Sequence, residues 1–200
     1  MKRRFQLIAL DVDGTIRDRD RQISDRTRSA IDRARKEGAY VTLATGRTFL
    51  SALSASTDLS LTCPIITFQG AHVAASDGKV LWHTPLTSEM TGAALDALSG
   101  RTEFDVMAYF GNEVFVMETS AWAIDYGERN SIPIHVVHPN KIKTGPMTRL
   151  VVRGDEDAIE SLELELNDRF DGALYVTRSL SYFCEILHPD AGKDLSLIHI

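Results

Sequence analysis

Apolar residues along this chain fall into two patterns, short unbroken runs and helical spacings, and the two alternate. Phe5-Gln6-Leu7-Ile8-Ala9-Leu10 is almost continuously apolar, which predicts a strand buried on both faces of a parallel sheet. It ends abruptly in Asp11-Val12-Asp13-Gly14-Thr15. Thr27, Ala30, Ile31 and Ala34 then recur at i, i+3, i+4 and i+7, one stripe of a helix. Ser24 is placed to cap that helix, which runs to about Glu37, and Gly38 suits the position past its end. Tyr40-Val41-Thr42-Leu43-Ala44 reads as a second strand and runs into Thr45-Gly46-Arg47. A helix over Phe49 to Leu59 and a strand over Pro64 to Phe68 complete a β-α-β-α-β order. That order implies a parallel sheet with right-handed crossovers.

The pattern changes after Phe68. His72 to Ser76 and Lys79 to His83 flank Asp77-Gly78, a hairpin turn signal. From Leu86 onward the spacing predicts a separate α+β unit. Its helices are expected over Ser88 to Ser99, Ser120 to Glu128 and Asp155 to Phe170. Its strands are expected over Phe104 to Phe110, Glu113 to Met117 and Met147 to Arg153, with a last hairpin of Ala173 to Thr177 and Ser181 to Leu187. The fold class expected is α/β, a Rossmann-like core of residues 1–85 and 188–200 carrying an inserted α+β domain over 86–187. No internal repeat or low-complexity linker interrupts it.

Composition narrows the function classes. The net charge is −6, which argues against a general nucleic-acid or anionic-membrane binder but leaves room for a small phosphorylated ligand at a local positive site. Cys63 and Cys184 are far apart and have no metal-ligand spacing, as expected of reduced thiols in a cytoplasmic protein. Met1-Lys2-Arg3-Arg4 resembles the start of a signal peptide, but the apolar run behind it is short and ends in Asp11. No segment approaches transmembrane length.

The two polar loops carry the candidate chemistry. Open α/β sheets place their sites outside the carboxyl ends of the strands. Asp11 and Asp13 emerge at such an end, and so do Thr45 and Gly46. Phosphoryl transfer needs an in-line nucleophile, neutralised phosphate oxygens and a managed proton. A carboxylate can be the nucleophile, a hydroxyl, backbone N–H groups and a lysine can hold the oxygens, and Mg²⁺ prefers oxygen ligands. Asp11, Asp13, Thr45, Gly46 and Lys193 offer these groups. A calcium loop is disfavoured by spacing, because Gly14 stands at position four and Gln22 at position twelve. A solvated acidic turn explains Asp11 and Asp13 but leaves Thr45-Gly46-Arg47 unexplained. Arg47 reads as a structural or helix-capping group, and the six histidines as scattered structural or surface residues. Trp82 and Trp122 read as core or domain-interface residues, and Arg17-Asp18-Arg19-Asp20-Arg21 as a solvated loop.

With these residues in place, the chain resembles the haloacid dehalogenase superfamily, specifically phosphatases of the Cof type, subfamily IIB. Asp11-Val12-Asp13-Gly14-Thr15 matches the first motif and Leu43-Ala44-Thr45-Gly46-Arg47 the second. Gln69-Gly70-Ala71 stands where the family usually has Asn-Gly-Ala, and Gly192-Lys193 matches the region of the third-motif lysine. The resemblance implies Asp11 as nucleophile, Asp13 as general acid/base, Thr45 and Lys193 on the transferring phosphate, and Mg²⁺ on the Asp11 carboxylate and the Asp13 carbonyl. It implies a small-molecule phosphate ester, such as a sugar phosphate, as substrate, with the inserted domain as a cap that selects the leaving group.

The family also has a fourth motif, an acidic loop that completes the metal site, on a strand beside the first. This sequence stops at Ile200, seven residues after Lys193, so a truncated chain with an exposed first-strand edge is expected. Two other readings stay open: a phosphomutase of the same fold, and a non-catalytic phosphate-binding fragment.

Overall fold

The computed structural model describes residues 5–17, 22–130 and 132–199. Met1 to Arg4, the Asp18-Arg19-Asp20-Arg21 part of the charged run, and Ile200 lie outside the described residues. The chain divides into two compact units, one reaching His83 and resuming at Gly192, the other Thr84–Ala191.

In the first unit β1 (Leu7–Leu10), α1 (Asp25–Lys36), β2 (Tyr40–Leu43), α2 (Phe49–Asp58) and β3 (Ile65–Thr67) follow in the expected order. β1 and β2 pair in parallel, Leu7 opposite Tyr40 through Leu10 opposite Leu43. A parallel bridge between Ala44 and Ile66 joins β2 to β3. The sheet then turns antiparallel through β4 (His72–Ala74) and β5 (Val80–His83). Val41, Leu43, Phe49, Ala52, Ala55 and Ile65 form the core beneath it.

The helix α1 begins as its sequence dictates, with the Ser24 hydroxyl accepting from the Thr27 N–H. Its buried face differs from the expected stripe. Ile31 is buried and Thr27 and Ala34 are half-buried, but Ala30 is exposed. Arg28 and Arg35 occupy that side instead, donating to the carbonyls of Asp58 and Leu59 at the end of α2. Their aliphatic stems cover apolar surface while the charged ends reach the orphan carbonyls of a helix terminus.

β1 also departs from expectation. Leu7, Ile8 and Leu10 are only half-buried and Ala9 is exposed. Among the described residues β1 pairs with β2 alone, so one edge and part of each face lack cover.

The second unit is built on a six-stranded sheet. Its elements are α3 (Ser88–Ala97), β6 (Asp105–Phe110), β7 (Glu113–Val116), α4 (Ala121–Asn130), β8 (Ile134–Val136), α5 (Pro139–Thr144), β9 (Arg149–Arg153), α6 (Glu156–Phe170), β10 (Tyr175–Leu180) and β11 (Phe183–Leu187). The strand order is β10-β11-β9-β6-β7-β8, antiparallel except for β7 with β8. β8 and α5 were not expected; at three and six residues neither shows a period. The start of α5 is nonetheless encoded, by Pro139 at the first turn and a His138 ring that accepts from the Asn140 N–H.

Alternate positions along these strands build two different surfaces. Ala108, Leu150, Val152, Cys184 and Ile186 pack on Leu95 of α3, on Leu98 just past its end and on Ile159, Leu162 and Leu166 of α6. Burial pushes the Cys184 thiol up to about 12, so this cysteine behaves as a core hydrophobe. The opposite face is polar at its centre. Arg149 donates to Glu185 at 2.6 Å, with side-chain exposures of 6% and 4%. The guanidinium also lies 4.5 Å from the centroid of the Tyr109 ring, and the Tyr109 hydroxyl donates to Tyr126 of α4 at 3.0 Å. Trp122, one turn earlier on α4, packs edge-on against Phe183.

A buried ion pair contributes little net stability, but removing one partner strands a charge. Glu185→Ala is expected to destabilise the protein by about 3–5 kcal/mol in urea titration, whereas the double change Arg149→Met with Glu185→Leu restores most of that loss.

Candidate active site

The acidic loop is shaped by the valine between its two aspartates. Val12 is fully buried, and its carbonyl accepts from the N–H groups of Ile16 (3.1 Å) and Arg17 (2.9 Å). Gly14 N–H closes the loop onto the Arg17 carbonyl at 3.1 Å. With Val12 anchored inward, Asp11 and Asp13 keep side-chain exposures of 38% and 62%.

The second loop runs beside the first because the strands are parallel. Ala44 N–H donates to the Leu10 carbonyl at 2.8 Å, so Asp11 and Thr45 leave neighbouring strand ends. Thr45 is 1% exposed, and its hydroxyl accepts from the Arg47 N–H at 3.3 Å. Arg47 was read as structural or helix-capping. Its guanidinium instead grips Asp13 with two bonds, Nε to Oδ2 at 2.8 Å and Nη2 to Oδ1 at 2.6 Å, while Nη1 donates to Ser51 at 3.1 Å. The parallel strands bring both loops to the same sheet end, and the long Arg47 side chain spans from one to the other.

Lys193 arrives from the far end of the sequence. Its ammonium donates to Asp11 Oδ1 at 3.0 Å across a separation of 182 residues. A tight turn at Phe68–Gly70 holds it there. Phe68 and Gln69 both sit in the left-handed region, at φ 51° and 55°, which non-glycine residues rarely adopt. Phe68 N–H donates to the Arg47 carbonyl at 3.0 Å and Gln69 N–H to the Thr45 carbonyl at 3.2 Å. On its other side the turn meets the returning chain. Ser196 Oγ donates to the Gly70 carbonyl at 2.5 Å, and a Cβ placed on Gly70 would lie 2.2 Å from the Gly192 oxygen. Only glycine permits that approach, and Gly70 has a φ of 102° as well.

All five sequence-derived candidates, Asp11, Asp13, Thr45, Gly46 and Lys193, therefore lie in the first unit, on loops bonded to one another or to the turn between them. The sequence reading missed Arg47's hold on Asp13, the strained turn and the anchoring serine. The described charges balance, two carboxylates against a lysine and an arginine.

The donors available to a metal are hard oxygens, the kind magnesium prefers, at Asp11 and Asp13. Among the described residues no cluster of three or more His, Cys, Asp or Glu could hold an ion. The fit is that of an ion held by one or two protein oxygens and otherwise by water and phosphate oxygens.

Behind the turn, His72 is packed between the rings of Phe49, Phe68 and His83, and its Nδ1 lies 3.1 Å from the Thr67 hydroxyl. Burial, and then the charge of His83, hold its pKa down at about 4. A histidine whose folded pKa lies below its unfolded value stabilises fully above the unfolded value of 6.5, and the contribution is lost as pH falls from there towards 4. His83, lowered by burial, acts in the same direction. The thermal midpoint is expected to drop between pH 7.5 and 4.5, and to drop less in His72→Gln; equal slopes for the two proteins would contradict this.

Comparison with known proteins agrees with this architecture. Residues 8–200 match the family of haloacid dehalogenase-like hydrolases, and the chain belongs to that family. Among its relatives is the 5-amino-6-(5-phospho-D-ribitylamino)uracil phosphatase YitU of Bacillus subtilis, 27% identical over 170 residues. That match covers 84% of this chain but 63% of the relative, so the chain spans less than two thirds of that protein. The HMP-PP phosphatase of Klebsiella pneumoniae is 23% identical over 200 residues, covering 96% of this chain and 70% of its own. A solved haloacid dehalogenase-like hydrolase from Bacteroides thetaiotaomicron shares the fold, with a TM-score of 0.78 at 24% identity over 98% of this chain and 75% of its own. Among the described residues no helix is long and apolar enough to cross a membrane.

Proposed function

We propose that this protein hydrolyses the phosphate monoester of a small phosphorylated metabolite, such as a sugar phosphate, through an aspartyl-phosphate on Asp11. The observation that carries the reading is the 3.0 Å contact of Lys193 with Asp11 at a strand end beside Thr45. A nucleophilic carboxylate, a cation for phosphate oxygens and a buried hydroxyl are there brought together from three distant segments. The family and the names of the two phosphatase relatives support the same class of reaction.

In the first half-reaction an Asp11 oxygen attacks phosphorus and the bond from phosphorus to the ester oxygen breaks. Asp13 gives the departing oxygen its proton. In the second, Asp13 takes a proton from water as the water oxygen attacks phosphorus, which releases inorganic phosphate and restores Asp11. Thr45, the Gly46 backbone and Lys193 hold the non-bridging oxygens, where charge-assisted bonds are strongest. Magnesium, when bound by the Asp11 carboxylate and the Asp13 carbonyl, would offset the negative charge that carboxylate and phosphate bring together.

Arg47 sets a condition on this cycle. Arg47 occupies both oxygens of Asp13, so Asp13 reaches a departing oxygen only once that grip is released. The arriving phosphate dianion is the competing partner for that guanidinium. Substrate binding is therefore expected to exchange the Arg47–Asp13 pair for a contact between Arg47 and phosphate.

The second unit is assigned the role of a cap that covers the leaving group and sets its identity. Release of inorganic phosphate from p-nitrophenyl phosphate with Mg²⁺ tests the reading. Asp11→Asn is expected to abolish turnover, and Asp13→Asn to slow it by roughly 10²–10⁴-fold while substrate affinity is retained. Turnover that survives Asp11→Asn would remove the nucleophile from the account. Supplied with a hexose 1-phosphate, the protein is expected to release phosphate; formation of an isomer would mark it as a mutase.

A further inference from the structure

Gln69 occupies a position that its side chain makes costly. Its φ of 55° and ψ of 21° follow directly on a Phe68 already at φ 51°. Two successive non-glycine residues in this region persist only where the surroundings impose them, and such strain gathers at functional sites. Backbone bonds to Arg47 and Thr45 hold the turn, and the consequence is where the Gln69 side chain goes. Its carboxamide lies against Gly46. A Cβ at Gly46 would fall 2.5 Å from Nε2 and 3.3 Å from Oε1 of Gln69, so glycine at 46 is what makes room for the amide.

We infer that the Gln69 carboxamide is a further contact to the bound phosphate ester, donating an N–H to a non-bridging oxygen above Gly46. The inference rests on the phosphate-site reading given above. A carboxamide presents two N–H donors without charge. That suits a site whose two described cations already face carboxylates, Lys193 on Asp11 and Arg47 on Asp13. A third cation there would pair with those carboxylates, whereas a neutral donor adds a bond to phosphate without competing for either of them. The strain is the counterpart, since any shift of the turn towards a relaxed conformation would carry the amide away from Gly46.

Two variants separate a binding role from a structural one. Gln69→Gly removes the amide and relieves the left-handed strain, so the thermal midpoint is expected to hold or rise while the dissociation constant for inorganic phosphate rises about tenfold, the loss of one hydrogen bond to a charged group. Gln69→Glu keeps the shape but turns a donor into an anion, so phosphate affinity should fall further still. The affinities are read by calorimetry with inorganic phosphate, alongside KM and kcat for p-nitrophenyl phosphate. KM is expected to follow the same order, wild type below Gly below Glu, with a smaller change in kcat. Unchanged phosphate affinity in both variants overturns the inference and leaves the hydrolase reading standing. Loss of affinity in a protein with no Asp11-dependent turnover supports the contact and overturns the hydrolase reading instead. Affinity lost in Gln69→Gly but fully kept in Gln69→Glu also overturns the inference, because the backbone and not the donor would then be responsible.

Discussion

The candidate site rests on the packing that brings the Lys193 ammonium within 3.0 Å of the Asp11 carboxylate. Both side chains are more than a third exposed, and an ion pair in that setting contributes at most about 1 kcal/mol. So weak an attraction cannot draw together segments 182 residues apart. The scaffold does so. Gly70 packs directly on the Gly192 backbone and Ser196 bonds to the Gly70 carbonyl, which places the lysine before any charge is counted. The pair is a result of the fold. The Arg149–Glu185 pair of the second unit contrasts with it: nearly dry, it is part of what the fold is built on.

The turn at Phe68–Gly70 is the common support of both cations. One side bonds to the loop of Thr45 and Arg47, the other to the segment carrying Lys193. Movement at this turn would disturb Lys193 and Arg47 together, and through them both carboxylates. Two cations paired with the two carboxylates offset the charge of the acidic loop. Each aspartate has a cationic partner for which the proposed phosphate ester would compete.

Much of this was legible in the sequence, for identifiable reasons. β1, β2 and β3 announce themselves by runs too short and too apolar for surface helices, and each of the first two ends in a polar loop. Asp11, Asp13, Thr45 and Gly46 could be named because parallel strands bring their carboxyl ends together. Lys193 came from a family resemblance, since nothing local marks it. What escaped was long-range or strained. The approach of Gly70 to Gly192 leaves no periodic trace, and the left-handed Phe68 and Gln69 contradict their own preferences. The structural reading of Arg47 did not name its partner, because Asp13 lies on the adjacent strand end and leaves no local trace. β1 was expected to be buried on both faces and is not, because an apolar run reports what a strand could bury and not what lies beside it.

The central claim is that Asp11 is the nucleophile that carries the phosphoryl group between the two halves of the proposed reaction. Acid quenching during turnover, followed by proteolysis and mass spectrometry, locates that group directly. The account predicts a phosphoryl adduct on the peptide that begins the acidic loop, at Asp11, lost in Asp11→Asn. An adduct on any other residue, or steady turnover by Asp11→Asn, would contradict it.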